Sequence, residues 1–101
     1  YVRGMWQMVQ HPTPNDYVVA TGETHSVREF LDIAFEHTGI DDWEDFVVID
    51  PEFYRPAEVP TIFGDCTKAK TVLGWTPEYT FKDLVFDMCE SEMRIQKNGN
   101  P

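Results

Sequence analysis

The sequence predicts an α/β fold fragment with the order α-β-α-β-(β)-α-α. Two short, wholly apolar runs, Tyr17-Val18-Val19-Ala20 and Phe46-Val47-Val48-Ile49, flank a segment with helical periodicity. Such runs suit strands covered on both faces, as in a parallel sheet. A single helix between two neighbouring strands forces them to run parallel, with a right-handed crossover. Glycine and proline punctuation then divides the rest of the 101 residues into short helices and loops.

Taken in order, residues 1–10 place Val2, Met5, Trp6 and Val9 at helical spacing. No capping residue precedes this pattern, so the chain is expected to be part of a longer polypeptide. Pro12 and Pro14 end the helix, Asn15-Asp16 form a turn, and 17–20 is the first strand. Residues 26–38 are the clearest helix. Ser26 and Glu29 have the spacing of a capping box, and Val27, Phe30, Leu31, Ala34 and Thr38 share one face. Gly39 supplies the stop.

An acidic loop around Trp43 leads to the second strand, 46–49. Residues 51–60 are irregular and stiff, because proline fixes its own φ and restricts the residue before it. Thr61-Ile62-Phe63 is the bracketed third strand. Asp65 caps a short helix over 66–73, Gly74 stops it, and Trp75 packs back on it. Thr80 opens a last helix over 81–93 with Phe81, Leu84, Val85 and Met88 on its buried face, and 99–101 is a frayed tail.

The formal charge of −10 argues against nucleic-acid partners and anionic membrane surfaces. No apolar run reaches membrane-span length. Cys66 and Cys89 fit no zinc spacing, and two cysteines without a secretory signal suggest a reducing, cytoplasmic setting. Cys66 is read as a small residue at a helix start, since no general base adjoins it. His25 is read as a turn residue for want of a catalytic partner.

The segment Tyr54-Arg55-Pro56-Ala57-Glu58-Val59 carries the chemistry. Arg55 and Glu58 stand three residues apart on a proline-stiffened stretch. A guanidinium makes paired, charge-assisted hydrogen bonds to a diphosphate, and a carboxylate beside it accepts from ribose hydroxyls. Between Glu36 and Glu58, Arg55 is the only lysine or arginine. The competing reading of the pair alone is a surface ion pair, the commoner arrangement.

The order of motifs adds to this. Thr21-Gly22-Glu23-Thr24-His25-Ser26-Val27-Arg28-Glu29-Phe30, then the Arg-Pro-Ala-Glu-Val segment, then Gly64-Asp65-Cys66-Thr67-Lys68-Ala69-Lys70, then Leu73-Gly74-Trp75-Thr76-Pro77, resembles the C-terminal part of the GDP-mannose dehydratases of the extended short-chain dehydrogenase/reductase family. That resemblance covers nearly the whole chain. It implies a Rossmann domain that binds NADP and a smaller domain that clamps GDP-mannose, in a homo-oligomeric lyase of nucleotide-sugar metabolism on the route to GDP-fucose. The family oxidises C4 of the mannose, eliminates water across C5 and C6, and returns the hydride to C6. Arg55 would then contact the diphosphate and Glu58 the ribose.

The family's glycine fingerprint and its Tyr-x-x-x-Lys pair do not occur in these 101 residues. The fourth residues after Tyr1, Tyr17, Tyr54 and Tyr79 are Met5, Thr21, Glu58 and Asp83. The resemblance therefore implies that this chain by itself has no catalytic residue, binds no NADP and is inactive. A fragment of another nucleotide-sugar epimerase or dehydratase, and a stand-alone acidic interaction module, are the alternative readings.

Overall fold

The computed structural model describes residues 1–99, so the part of the expected tail at Asn100 and Pro101 lies outside the described residues. Three α-helices appear among these residues: α1, Val2–Gln10; α2, Val27–Thr38; and α3, Phe81–Asn98. Among the described residues there is no β-strand. The chain falls into two compact units, one of Tyr1–Thr24 with Val59–Glu78, the other of His25–Glu58 with the chain from Tyr79 onward.

The first unit is built around an indole. Trp75 is 3% exposed and packs with Cys66 and Ala69, with Tyr17, Val19, Ala20 and Leu73 around them. A π-helical turn, Ala69–Leu73, ends at Gly74, whose φ of 68° is left-handed. The Trp75 amide then donates back to the Ala69 carbonyl at 3.2 Å. This closure spans seven residues, one more than the six-to-one bond of a Schellman motif, because it follows a π-helical turn, but it uses glycine at the left-handed position in the same way. It turns the chain so that the next side chain folds onto the helical turn, as the Gly74-Trp75 pair predicts. Asp65 caps the start of this turn through the Thr67 amide (2.9 Å) and hydroxyl (2.5 Å).

Helix α1 meets the indole through Gly4, where an added Cβ would lie 3.2 Å from the Trp75 ring. Arg3 pairs with Glu78 and donates to the Thr76 carbonyl (2.8 Å). The apolar stripe Val2, Met5, Trp6 and Val9 faces outward instead, 61–78% exposed.

The α/β expectation is corrected here. Residues 17–20 and 46–49 fall in different units and neither carries a strand ladder. Nor is 17–20 covered on both faces: Tyr17 and Val19 pack inward, whereas Val18 is exposed. The neighbour of this run is the chain near Gly64, where an added Cβ would sit 2.4 Å from that of Ala20. The Thr24 hydroxyl also donates to the Ile62 carbonyl at 2.9 Å. The bracketed strand 61–63 therefore lies beside the first run without a ladder. The physical reason is that an apolar run specifies a buried segment, whereas a strand also needs partners for its amides and carbonyls.

In the second unit α2 packs on α3. The Ser26 capping box forms: the Glu29 amide donates to the Ser26 hydroxyl (3.1 Å) and the Ser26 amide to the Glu29 carboxylate (2.9 Å). Gly39 ends α2 in the left-handed conformation. Thr80 and Asp83 form a second capping box at the head of α3. That helix continues five residues beyond the expected Met93, through good helix formers.

Rings join the two helices. His25 stacks on Phe81 at 4.0 Å, Phe30 meets Phe81 edge-on at 6.2 Å, and His37 stacks on Phe86 at 4.2 Å while contacting Glu90 at 2.8 Å. Val85 is fully buried, but Leu84 and Met88 stay about half exposed. The buried face of α3 is thus turned from the expected one toward Phe86 and Cys89, both partly buried. On α2, Phe30, Leu31 and Ala34 are partly buried as expected, whereas Val27 and Thr38 are exposed. Phe46 is not in a strand. Its amide donates to the Trp43 carbonyl (2.9 Å) and its ring stacks on Phe35 (6.1 Å).

Candidate nucleotide-binding surface

Arg55 and Glu58 are positioned by the chain just before them. Asp50 accepts from the Glu52 amide (2.9 Å) and caps a 3-10 turn, Pro51–Phe53, that has proline in its first positions. Proline fits there because its missing N–H has no partner to lose. The Tyr54 amide closes the turn on the Pro51 carbonyl (3.1 Å), and Tyr54 leaves it with an extended backbone. Pro56 then restricts Arg55 to extended conformations. This is the stiff presentation that the sequence predicts.

The pair meets. An Arg55 Nη1 lies 3.7 Å from a Glu58 carboxylate oxygen, with the side chains 76% and 62% exposed. At that distance and exposure the ion pair holds Arg55 weakly. Every residue from 51 to 60 is exposed, so the pair stands on an open surface. Phe53 and Tyr54 add two largely exposed rings beside it. Spacing alone gives no reason to single out Phe53. A shallow cavity of about 310 Å³ is lined by Glu90, Met93, Arg94, Lys97 and Asn98 and includes neither Arg55 nor Glu58. Its cations sit in the last turns of α3, where they complement the helix dipole without a ligand.

The other residues considered from the sequence are structural. Cys66 is buried in the Trp75 cluster, with Sγ 3.5 Å from the Cβ position of Gly22. His25 serves the head of α2, with Nδ1 3.2 Å from Glu29 and its ring on Phe81. The cap contacts hold the Asp65 and Asp83 carboxyls below the ordinary aspartate range. Thr67 causes this at Asp65 through its hydroxyl and then its amide, and Thr80 at Asp83 through its amide and then its hydroxyl. Among the described residues no group of three or more metal-ligating side chains converges. No helix there is long and apolar enough to cross a membrane.

Comparison with known proteins gives the surface its context. The family model described as GDP-mannose 4,6 dehydratase matches residues 1–88, which include Arg55 and Glu58. The chain is 48% identical over 97 residues to GDP-mannose 4,6 dehydratase 2 of Arabidopsis thaliana, covering 96% of this chain and 26% of that protein. It is 41% identical to the GDP-mannose 4,6 dehydratase of Drosophila melanogaster, with 98% of this chain and 29% of the relative aligned. The human GDP-mannose 4,6 dehydratase is 40% identical, with 98% and 31% aligned. The chain thus spans roughly a quarter to a third of the length of these curated relatives.

Proposed function

The chain belongs to the GDP-mannose 4,6 dehydratase family, and we propose that within it this segment binds the nucleotide sugar. In this reading Arg55 holds the diphosphate of GDP-mannose and Glu58 accepts from its ribose hydroxyls. The observation that carries it is the Arg55–Glu58 pair, exposed and 3.7 Å apart on a capped, proline-stiffened turn within the matched residues.

The whole protein would be a hydro-lyase that converts GDP-mannose to GDP-4-dehydro-6-deoxy-mannose with NADP. It would work in the cytoplasm as a homo-oligomer. The residues described here do not fit NADP. Gly39, Gly74 and Gly99 stand at helix C-termini, where exposed carbonyls repel phosphate, and none opens a helix after a strand. Residues 1–20 would belong with the cofactor-binding half and 21–101 with the nucleotide-sugar half. The outward stripe of α1 would then be covered by the former.

The test replaces the matching segment of the Arabidopsis relative with this chain and measures GDP-mannose binding by calorimetry. Arg55→Ala should weaken binding by about 1.5–3 kcal/mol, as for hydrogen bonds to a charged group. Arg55→Lys should recover part of this, because a point charge loses the paired geometry. Unchanged affinity in Arg55→Ala would return the pair to a plain surface salt bridge.

A further inference from the structure

We infer that α3 carries a contact surface for a second copy of this chain, paired antiparallel along Leu84, Met88, Ser91 and Ile95. This goes beyond the nucleotide-binding reading and does not depend on it. Helix α2 packs against α3 through the His37–Phe86 stack, on the side where Val85 and Cys89 are drawn inward. A second apolar row follows another side of α3. Leu84, Met88 and Ile95 are 49%, 47% and 38% exposed, and the small, partly buried Ser91 completes the row. Steps of four, three and four residues are the spacing of a coiled-coil seam, which a facing helix covers.

The charges beside the row say what that helix is. Asp87 and Arg94 stand seven residues apart along one edge of the seam. Both are exposed, and among the described residues neither is held in an ion pair. When a second α3 lies antiparallel, with Leu84 on Ile95 of the copy and Met88 on the small Ser91, Asp87 falls opposite Arg94 of the copy. The two-fold axis then makes the same pair again at the other end. A parallel pairing sets Asp87 against Glu92 of the copy instead, which is repulsive. One chain thus supplies both halves of a complementary surface, as an isologous contact requires. The seam spans about three turns of helix, so the pair is weak and depends on concentration.

Sedimentation equilibrium of the 101-residue chain tests the pairing, at about 0.15 M salt to screen repulsion between two acidic chains. The wild-type chain should pass from monomer to dimer as its concentration rises. Asp87→Arg and Arg94→Asp, made separately, should each weaken association by about two- to thirty-fold, the loss of two exposed ion pairs. Net charge alone predicts the opposite for Asp87→Arg, which makes the chain less acidic. An equimolar mixture of the two variants should recover association, because each edge contact is then Arg against Asp again. A wild-type chain still monomeric at about 1 mM would overturn the inference and leave the row to be covered by the rest of a longer polypeptide. A dimer indifferent to both substitutions would overturn it as well, and would point to another face, such as the outward stripe of α1. So would a mixture that associates no better than its two components.

Discussion

Cys66, Ala69 and Trp75, three of the buried apolar residues, lie in one unit, and Val85 lies in the other. The first unit is therefore held from inside, by close packing around an indole and a glycine-closed turn. The second is held from its edges. A capping box closes the head of each helix, and ring contacts with the His37–Glu90 contact join α2 and α3 over the fully enclosed Val85. Trp43 adds a clip, donating to Asp32 (2.5 Å) under the Arg28 guanidinium, which itself pairs with Glu44 at 2.9 Å. Volume changes should hurt the first unit most, and charge changes the second.

The largest effect expected is at Trp75. Trp75→Ala should cost about 3–5 kcal/mol, the range for removing a buried aromatic ring. Val85→Ala removes two carbons and should cost only about 2 kcal/mol. Hydrogen exchange read separately on amides of the two units checks both. Loss of protection around 66–75 in the first variant and around 81–93 in the second is the expected pattern. Equal costs in the two variants would break the contrast between a packed unit and a clipped one.

Acid should act on the clips. Asp83 has a folded carboxyl held below the unfolded value of about 3.9. Its capping contribution is therefore complete above the unfolded value and is lost as pH falls through the depressed folded value. Asp83→Asn should flatten that acid limb in the helical circular dichroism signal as pH falls below the unfolded value. An acid profile identical to that of the unaltered chain would show that the cap does not hold α3. Asp65 carries the same sign in the first unit, but it caps only a short turn over a packed core. Asp65→Asn should therefore change that unit's acid response less.

What could be read from the sequence divides along the same line as the forces. The Ser26–Glu29 box, the Gly39 stop, the Thr80 cap and the Gly74–Trp75 reversal are local, made by residues within six positions of one another, and all are present. Strand pairing is not local. The runs 17–20 and 46–49 carry the composition of strands, but a ladder is a property of two segments, and an apolar tetrapeptide does not name its partner. The buried face of α3 was open to misreading for a related reason. Leu84 and Met88 share a stripe with Phe81, yet Phe86 and Cys89 are the ones drawn inward, where α2 sets His37 against Phe86. The Arg55–Glu58 pair could be read as chemistry from spacing and local charge. Its 3.7 Å separation could not, because exposed side chains of that length have many rotamers.

The smallest effect expected on stability is at Arg55 itself. It belongs to the clipped unit, yet it joins neither helix to the other. Its partner is three residues away on the same stretch, and both side chains lie open to water. An exposed pair of this kind contributes at most about 1 kcal/mol and often nothing measurable. Arg55→Ala should therefore leave the unfolding free energy of the chain, measured in urea, within about 0.5 kcal/mol of wild type. Arg28→Ala, by contrast, removes both a contact on the Trp43 ring and a 2.9 Å pair, and should cost more. If Arg55→Ala destabilised the chain as much as Arg28→Ala, Arg55 would be one more clip. A stability near wild type joined to the loss of nucleotide binding would leave ligand contact as the work of this residue.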